Sequence, residues 1–314
     1  MCQCSVVLVQ YNPIWDKVRC TLNSILSQKD CDYEIIIADD GSECTHFDKI
    51  KTYFEEHNYE NYHLVDNKVN GGTVNNIISG ITASAGKYVR VIAPGDMLYE
   101  DTTLCKIVGF MDKNDAKVMF GKMAYFEETD GKIEIVSKQV PTDFRPYKKK
   151  NVNSIKTHLL ILGDNISGAS YTWDREYYLD CLTSISGKVR YLEDCLNATA
   201  IYDNHMIYFL DEFVTWYEHG TGISTSKSNK WFSILAKDWI SYLKKLERQY
   251  PRDFKIKQAK WYYQMCLQGK FVNKVLKNIF FFQRYIYSRF MEKKLNETKY
   301  EEINKENILK FKGR

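Results

Sequence analysis

EIIIADDGS, residues Glu34 to Ser42, runs through apolar residues and stops at two carboxylates, a glycine and a serine. A short β-branched run without polar alternation reads as a strand buried on both faces of a parallel sheet. Ser5–Val9 upstream, and Tyr62–Val65 and Tyr88–Ile92 downstream, have the same character. Helical spacing fills the gaps between them. Val18, Leu22, Ile25 and Leu26 share one face, and Phe47, Ile50 and Phe54 share another. Val74, Ile77, Ile78 and Ile81 share a third, within Thr73–Ala83. Strand alternating with helix predicts an α/β fold with an open, doubly wound sheet that binds ligands at the carboxyl ends of its strands. That edge collects Asn12, Asp39-Asp40, Asn67–Gly72 and Asp96, each in the first polar cluster after a strand. A single cluster is an ordinary turn; four in succession point to a site.

The chain has 314 residues, 44% hydrophobic and 14% aromatic, enough for one large domain with an appendage. Lys and Arg number 44 against 40 Asp and Glu, too even a balance for a nucleic-acid binder. The nine cysteines form no CxxC pair and no cluster with the six histidines, which argues for reduced thiols and against a zinc site. Ser5–Val9 is too short for a signal-peptide core, and nowhere do eighteen apolar residues run together. The expectation is a cytoplasmic protein, soluble or peripheral on the inner face of the plasma membrane.

From Lys117 the pattern loosens. Val118–Phe126 and Ile133–Val136 read as a hairpin turning at Asp130-Gly131, and Gly168–Trp173 as another strand. Pro141–Asn153, with Lys148-Lys149-Lys150, reads as a loop with a solvated basic edge. Glu193-Asp194 opens a short helix, Cys195–Ile201. After Ser226 only helices follow: Trp231–Tyr250, Phe254–Gly269 and Phe271–Lys294. The organisation expected is therefore 1–226, with halves 1–116 and 117–226, and a helical extension 227–314.

SVVLVQYN, EIIIADDGS, DNKVNGGTVNN, the Pro94-Gly95-Asp96 turn and YLEDCLNA, in this order and spacing, resemble the inverting family 2 glycosyltransferases. Those enzymes use nucleotide sugars and have the Rossmann-like GT-A fold. The resemblance spans roughly Ser5 to Ser226, and it implies roles residue by residue. Asp39 would accept the imide N–H of a uracil as a charge-assisted hydrogen bond. Gln10, Tyr11 and Asn12 would close over the same ring, and Asp40, Asn70, Gly71 and Asn75 would line the donor side, with glycine backbone and a helix N-terminus near phosphate. The arginine customary in that helix is absent, since Asn76-Ile77-Ile78 stands in its place.

The family's acidic motif is thinned as well. Ala93, Pro94 and Gly95 precede Asp96, so one carboxylate remains for Mg²⁺ or Mn²⁺. A hard cation that keeps waters and takes diphosphate oxygens tolerates so few protein ligands; Asp96 as the cap of a helix starting near Tyr99 is the plainer reading. Inversion by single displacement needs one base and no nucleophile. The Glu-Asp pair assigns that role to Asp194, with Glu193 orienting it or binding an acceptor hydroxyl. Trp173 offers a face either to an acceptor sugar or to the core. His219, in the glycine-bearing Tyr217–Ser224 loop, would be a further metal or phosphate ligand.

Phe271–Lys294 is apolar along one broad face and basic elsewhere, which suits an anionic membrane surface or packing against the catalytic part or a second subunit in a homodimer. The expected activity is transfer of a sugar from a UDP-sugar to a hydroxyl of a lipid-linked oligosaccharide or surface polysaccharide, such as capsule or lipopolysaccharide. Two rivals stand beside it. A nucleotidyltransferase would need a glycine-rich loop directly after the first strand, where Gln10–Pro13 has no glycine. A catalytically decayed subunit that binds nucleotide or glycan would account for the thinned motifs, but not for the intact Glu193-Asp194.

Overall fold

The computed structural model describes residues 2–220, 229–268, 279–297 and 303–313. The chain opens with β1 (Cys4–Gln10), α1 (Trp15–Leu26), β2 (Tyr33–Asp39), α2 (Phe47–Glu56), β3 (Tyr62–Asp66), α3 (Thr73–Thr82) and β4 (Tyr88–Ile92). β3, β2, β1 and β4 lie side by side and parallel. Register brings Gln10 beside Asp39 and Asp39 beside Asp66, so the strands end together. The alternating faces of one strand feed two cores, because successive side chains point to opposite sides of a sheet. Ile35 and Ile37 pack with Val18, Leu22 and Ile25 of α1, while Ile36 and Ala38 pack with Val74, Ile77 and Ile81 of α3.

Beyond β4 the sheet becomes mixed. It continues through β5 (Met97–Leu98), α4 (Thr103–Asn114), β6 (Val118–Thr129) and β7 (Lys132–Val136), then α5 (Arg145–Lys148) and α6 (Val152–Thr157). After a π-helical turn at His158–Leu162 come β8 (Tyr171–Asp174), α7 (Arg175–Thr183), α8 (Leu196–Tyr202) and β9 (Ile207–Glu218). The order across the sheet is β3-β2-β1-β4-β8-β6-β9-β5, with β7 on β6. β8 runs antiparallel to both β4 and β6, and β9 parallels β6. Hence β4, β6 and β9 share a direction, and the start of β8 lies towards the carboxyl end of β4.

Several expectations change here. Pro141–Asn153 is not a bare loop, for α5 lies within it and α6 begins at its end; Pro146 at the first turn leaves no amide unpaired and suits a helix start. Gly168–Ser170 is a helical turn rather than strand, and the strand starts at Tyr171. The helix after Asp96 begins at Thr103, so Asp96 is not its cap.

The C-terminal helices are α9 (Asn229–Gln249), α10 (Phe254–Leu267), α11 (Phe282–Glu297) and α12 (Glu306–Phe311). The first two share the main core: Trp239, Tyr242, Leu243 and Leu246 of α9 and Ile256, Ala259 and Tyr263 of α10 join the cluster that contains Trp173, Leu196 and Ile201. Residues 269–278, which include the first part of the predicted Phe271–Lys294 helix, lie outside the described residues, as does the expected boundary at 226. Among the described residues no helix is long and apolar enough to cross a membrane.

Candidate active site

β2 ends in a turn built by its own carboxylate. Asp39 is fully buried; it accepts from the Ser42 N–H and hydroxyl, both at 2.7 Å, and from Gln10 Nε2 at 3.0 Å. A carboxylate has about four acceptor sites, so one further donor can be received. Gln10 also donates to the Thr45 carbonyl at 2.8 Å, and its Oε1 is buried with no partner among the described residues. Asn12, at φ 45°, ties the two loops together: its N–H meets Ser42 Oγ and its Oδ1 accepts from Glu43 N–H. Tyr11 is 54% exposed beside them, a ring with a free face. The turn and a base-reading role are thus compatible.

The glycine loop differs from expectation. Asp40 accepts the amides of Gly71 at 2.7 Å and Gly72 at 2.9 Å, so these N–H groups are committed within the protein and are not open to phosphate. Burial raises the Asp40 carboxyl, while those two amides and the Arg190 charge pull the other way. Asn75 faces Ser186, whose hydroxyl donates to it at 2.9 Å, and Asn76 braces the sheet through the Ala38 carbonyl. Arg190 stands over this loop, its Nη2 donating to Asn70 O at 2.9 Å and Asn70 Oδ1 at 2.8 Å. A cation therefore reaches the donor side from a distant segment, where the local helix has none. No motif marks it in the sequence.

Asp96 sits just beyond β4. Its pKa is pushed up to about 7, first by burial and then by the nearby Glu218 carboxylate. Glu218, the last residue of β9, lies against Gly95, where an added Cβ would come 2.8 Å from Glu218 Oε2. Lys17 Nζ meets the same Oε2 at 2.7 Å. Beneath them Arg90 is fully buried and donates to the Tyr171 and Ala169 carbonyls and the Thr215 hydroxyl; burial pulls its pKa down to about 10. Asp96 therefore has a carboxylate neighbour that the local motif does not reveal. Hard oxygen donors suit Mg²⁺ or Mn²⁺, and Asp96 with Glu218 would hold such an ion, although no group of three His, Cys, Asp or Glu converges among the described residues. His219 follows Glu218, but its Nδ1 pairs with Glu127 Oε1 at 2.7 Å.

Glu193 and Asp194 occupy one helical turn before α8, half-buried. Glu193 lies against Gly168, in the turn just before β8, which puts the pair near the carboxyl end of β4, where Asp96 follows. Burial raises both carboxyls, and the Asp194 charge raises Glu193 further. Asp194 Oδ1 is buried with no hydrogen-bond partner among the described residues, so one basic oxygen is left uncommitted. Trp173 is corrected: only 2% exposed, it stacks on Tyr178 at 4.7 Å and 13° and belongs to the core, with no face for an acceptor. Thr221–Ser224 of the glycine-bearing loop lie outside the described residues.

A family model described as Glycosyl transferase family 2 matches residues 5–177. No curated protein sequence matches the chain. Among solved structures, TarS 1–349 of S. aureus in complex with UDP-GlcNAc is 16% identical, with a TM-score of 0.52 over 84% of this chain and 80% of that one. The mannosyltransferase PcManGT from Pyrobaculum calidifontis, in complex with GDP-Man and Mn²⁺, is 17% identical, with a TM-score of 0.54 over 78% and 64%. At such identities the likeness is one of fold.

Proposed function

The chain belongs to glycosyl transferase family 2 and has its GT-A fold, and from that premise we propose an inverting transfer from a nucleotide sugar, favouring a UDP-sugar, to a glycan hydroxyl. The observation that carries the mechanism is the uncommitted Asp194 Oδ1 near the carboxyl end of β4, where Asp96 follows. Asp39 accepts a hydrogen bond from the imide N–H of the base. Asp194 accepts the proton of the attacking hydroxyl, Glu193 orients it, and the anomeric centre inverts as the nucleoside diphosphate leaves. Asp96 and Glu218 would hold Mg²⁺ or Mn²⁺, whose charge would be available to a leaving diphosphate; a solved structural neighbour is in complex with Mn²⁺. In this reading His219 stays with Glu127, outside the metal shell.

The acceptor is a lipid-linked oligosaccharide or growing surface polysaccharide, met at the cytoplasmic face of an anionic membrane. Exposed Ile279, Phe280, Phe282, Ile286 and Phe290, with Arg289 among them, support this.

Calorimetric titration of UDP into wild type and Asp96→Ala, with and without Mn²⁺, tests the site. Tighter binding with Mn²⁺ in wild type alone is expected. Binding indifferent to Mn²⁺ in both proteins would remove the metal from the mechanism. Failure of UDP and GDP alike to bind would favour the decayed, glycan-binding subunit, which the committed Gly71 and Gly72 amides also suit.

A further inference from the structure

Asp238, on α9, is buried, and its carboxylate faces a stretch of backbone. Its Oδ2 accepts from the N–H of Arg190 at 3.1 Å and of Tyr191 at 2.8 Å, and the Leu192 N–H bonds the same carboxylate. These three amides lead directly into Glu193 and Asp194. Successive N–H groups meet one acceptor only when the chain curves around it, so the carboxylate sets the curvature of the segment. The other side is held too: the Arg190 carbonyl accepts from Val74 N–H at 3.0 Å, and its guanidinium grips Asn70. Residues 190–192 are thereby clamped between the first turn of α3, on the donor side, and a helix of the C-terminal segment. Trp231 of α9 adds an edge contact to Tyr191 at 5.2 Å.

We propose that Asp238 is a positioning residue for transfer, holding the 190–192 backbone so that Asp194 stands at a fixed place relative to the donor. This rests on the glycosyltransferase reading above. Charge-assisted bonds to backbone amides are stronger and shorter than neutral ones, and displacing a reacting group by about 1 Å costs roughly a hundredfold in rate. The helices after 226 thus belong to the catalytic machinery rather than to an appendage.

The test uses the full chain with Asp238→Asn and Asp238→Ala, and slow hydrolysis of UDP-sugars as the reaction. Water then replaces the acceptor: the bond from the anomeric carbon to the phosphate oxygen breaks with its electron pair going to UDP. The water oxygen bonds to that carbon, and its proton passes to Asp194. With Asn, which keeps the shape and loses the charge, kcat should fall about tenfold while donor KM and UDP affinity stay within about twofold. With Ala, amide exchange across 186–196 should quicken at least about tenfold while the sheet stays protected. Unchanged kcat in both variants would overturn the proposal, as would unchanged exchange. So would kcat, UDP affinity and melting temperature all falling together in Asp238→Asn, the mark of a merely structural residue. A wild type that releases UDP from no sugar nucleotide would instead overturn the function on which the proposal rests.

Discussion

Asp194 is held in a place that favours its protonated form, and a base must work there deprotonated. Burial raises its carboxyl and that of Glu193 above the usual range, so the acid limb of kcat should lie near neutrality rather than near pH 4. The same shift has a stability sign. A carboxyl raised in the folded state is favoured there while protonated, and that advantage is lost as pH climbs from the unfolded value through the folded one. Asp194→Asn should therefore abolish transfer, keep UDP binding, and raise the melting temperature, with the gain growing from about pH 4 to neutrality and then levelling. Thermal melts across that range, beside UDP calorimetry, check both; near-normal turnover would remove Asp194 from the role. At this scale the sequence is informative where chemistry is local. The turn around Asp39 is legible in DDGS because strand end and turn lie within one short motif, and the helical start at Glu193-Asp194 is legible in YLED. Glu218 beside Asp96, and Arg190 over Asn70, come together only through sheet order and loop packing. No spacing within a single segment encodes them.

Elements show where backbone rather than side chain decides. Gly72 starts α3 at φ 84°, and an added Cβ would press into the Arg190 side chain and stand 2.8 Å from the Arg190 carbonyl. Gly72→Ala should cost about 1–3 kcal/mol through strain alone, read as a lower denaturation midpoint, and should weaken nucleotide binding by shifting the loop. α11 is apolar on two faces, which explains why its sequence suits both membrane and packing. Phe281, just before it, and Met291 are buried, Arg284 stacks over Tyr262 at 4.1 Å, and Tyr287 donates to Asp164 at 2.7 Å. The other face carries Phe282, Ile286 and Phe290, each more than half exposed, with Phe280 beside it. Substituting serine at Phe280, Phe282 and Ile286 should release the protein from phosphatidylserine vesicles in a flotation assay with its melting temperature kept. Phe281→Ser should instead destabilise it by about 3 kcal/mol or more, as core truncations do. Strands are most legible in the sequence where apolar runs are short and bounded by turns, as in β1, β2 and β4. β9 escapes such a reading because its acidic middle, Asp211-Glu212, breaks the apolar pattern where β6 opposite it shifts register at Gly121 and Lys122.

At the scale of the whole molecule, the first two C-terminal helices share one of the sheet's cores. α9 and α10 contribute Trp239, Tyr242, Leu243, Leu246 and Tyr263 to the cluster under α8. Burying each such side chain is worth about 1.5–3 kcal/mol, against a total stability of roughly 5–15 kcal/mol. A chain cut after residue 226 should therefore aggregate on expression rather than retain nucleotide binding, which size-exclusion chromatography and UDP calorimetry would show. The change of character after Ser226, legible in the sequence as strands giving way to helices, marks a change of element type without a change of core.

α12 returns to the start of the fold. Ile308 and Phe311 pack with Cys20, Met97 and Trp216; Asn23 of α1 donates to the Phe311 carbonyl at 2.8 Å, and Lys312 meets Glu128 at 2.6 Å. The corner where Met97 follows Asp96 and Trp216 precedes Glu218 is thus packed by residues made some two hundred positions after Asp96. During synthesis, a ribosome that has already finished every strand holds a chain with this corner open. The packing around Met97 and Trp216 is therefore completed only after residue 311 has been made, so the first helix and the last strand gain their shared cover last of all.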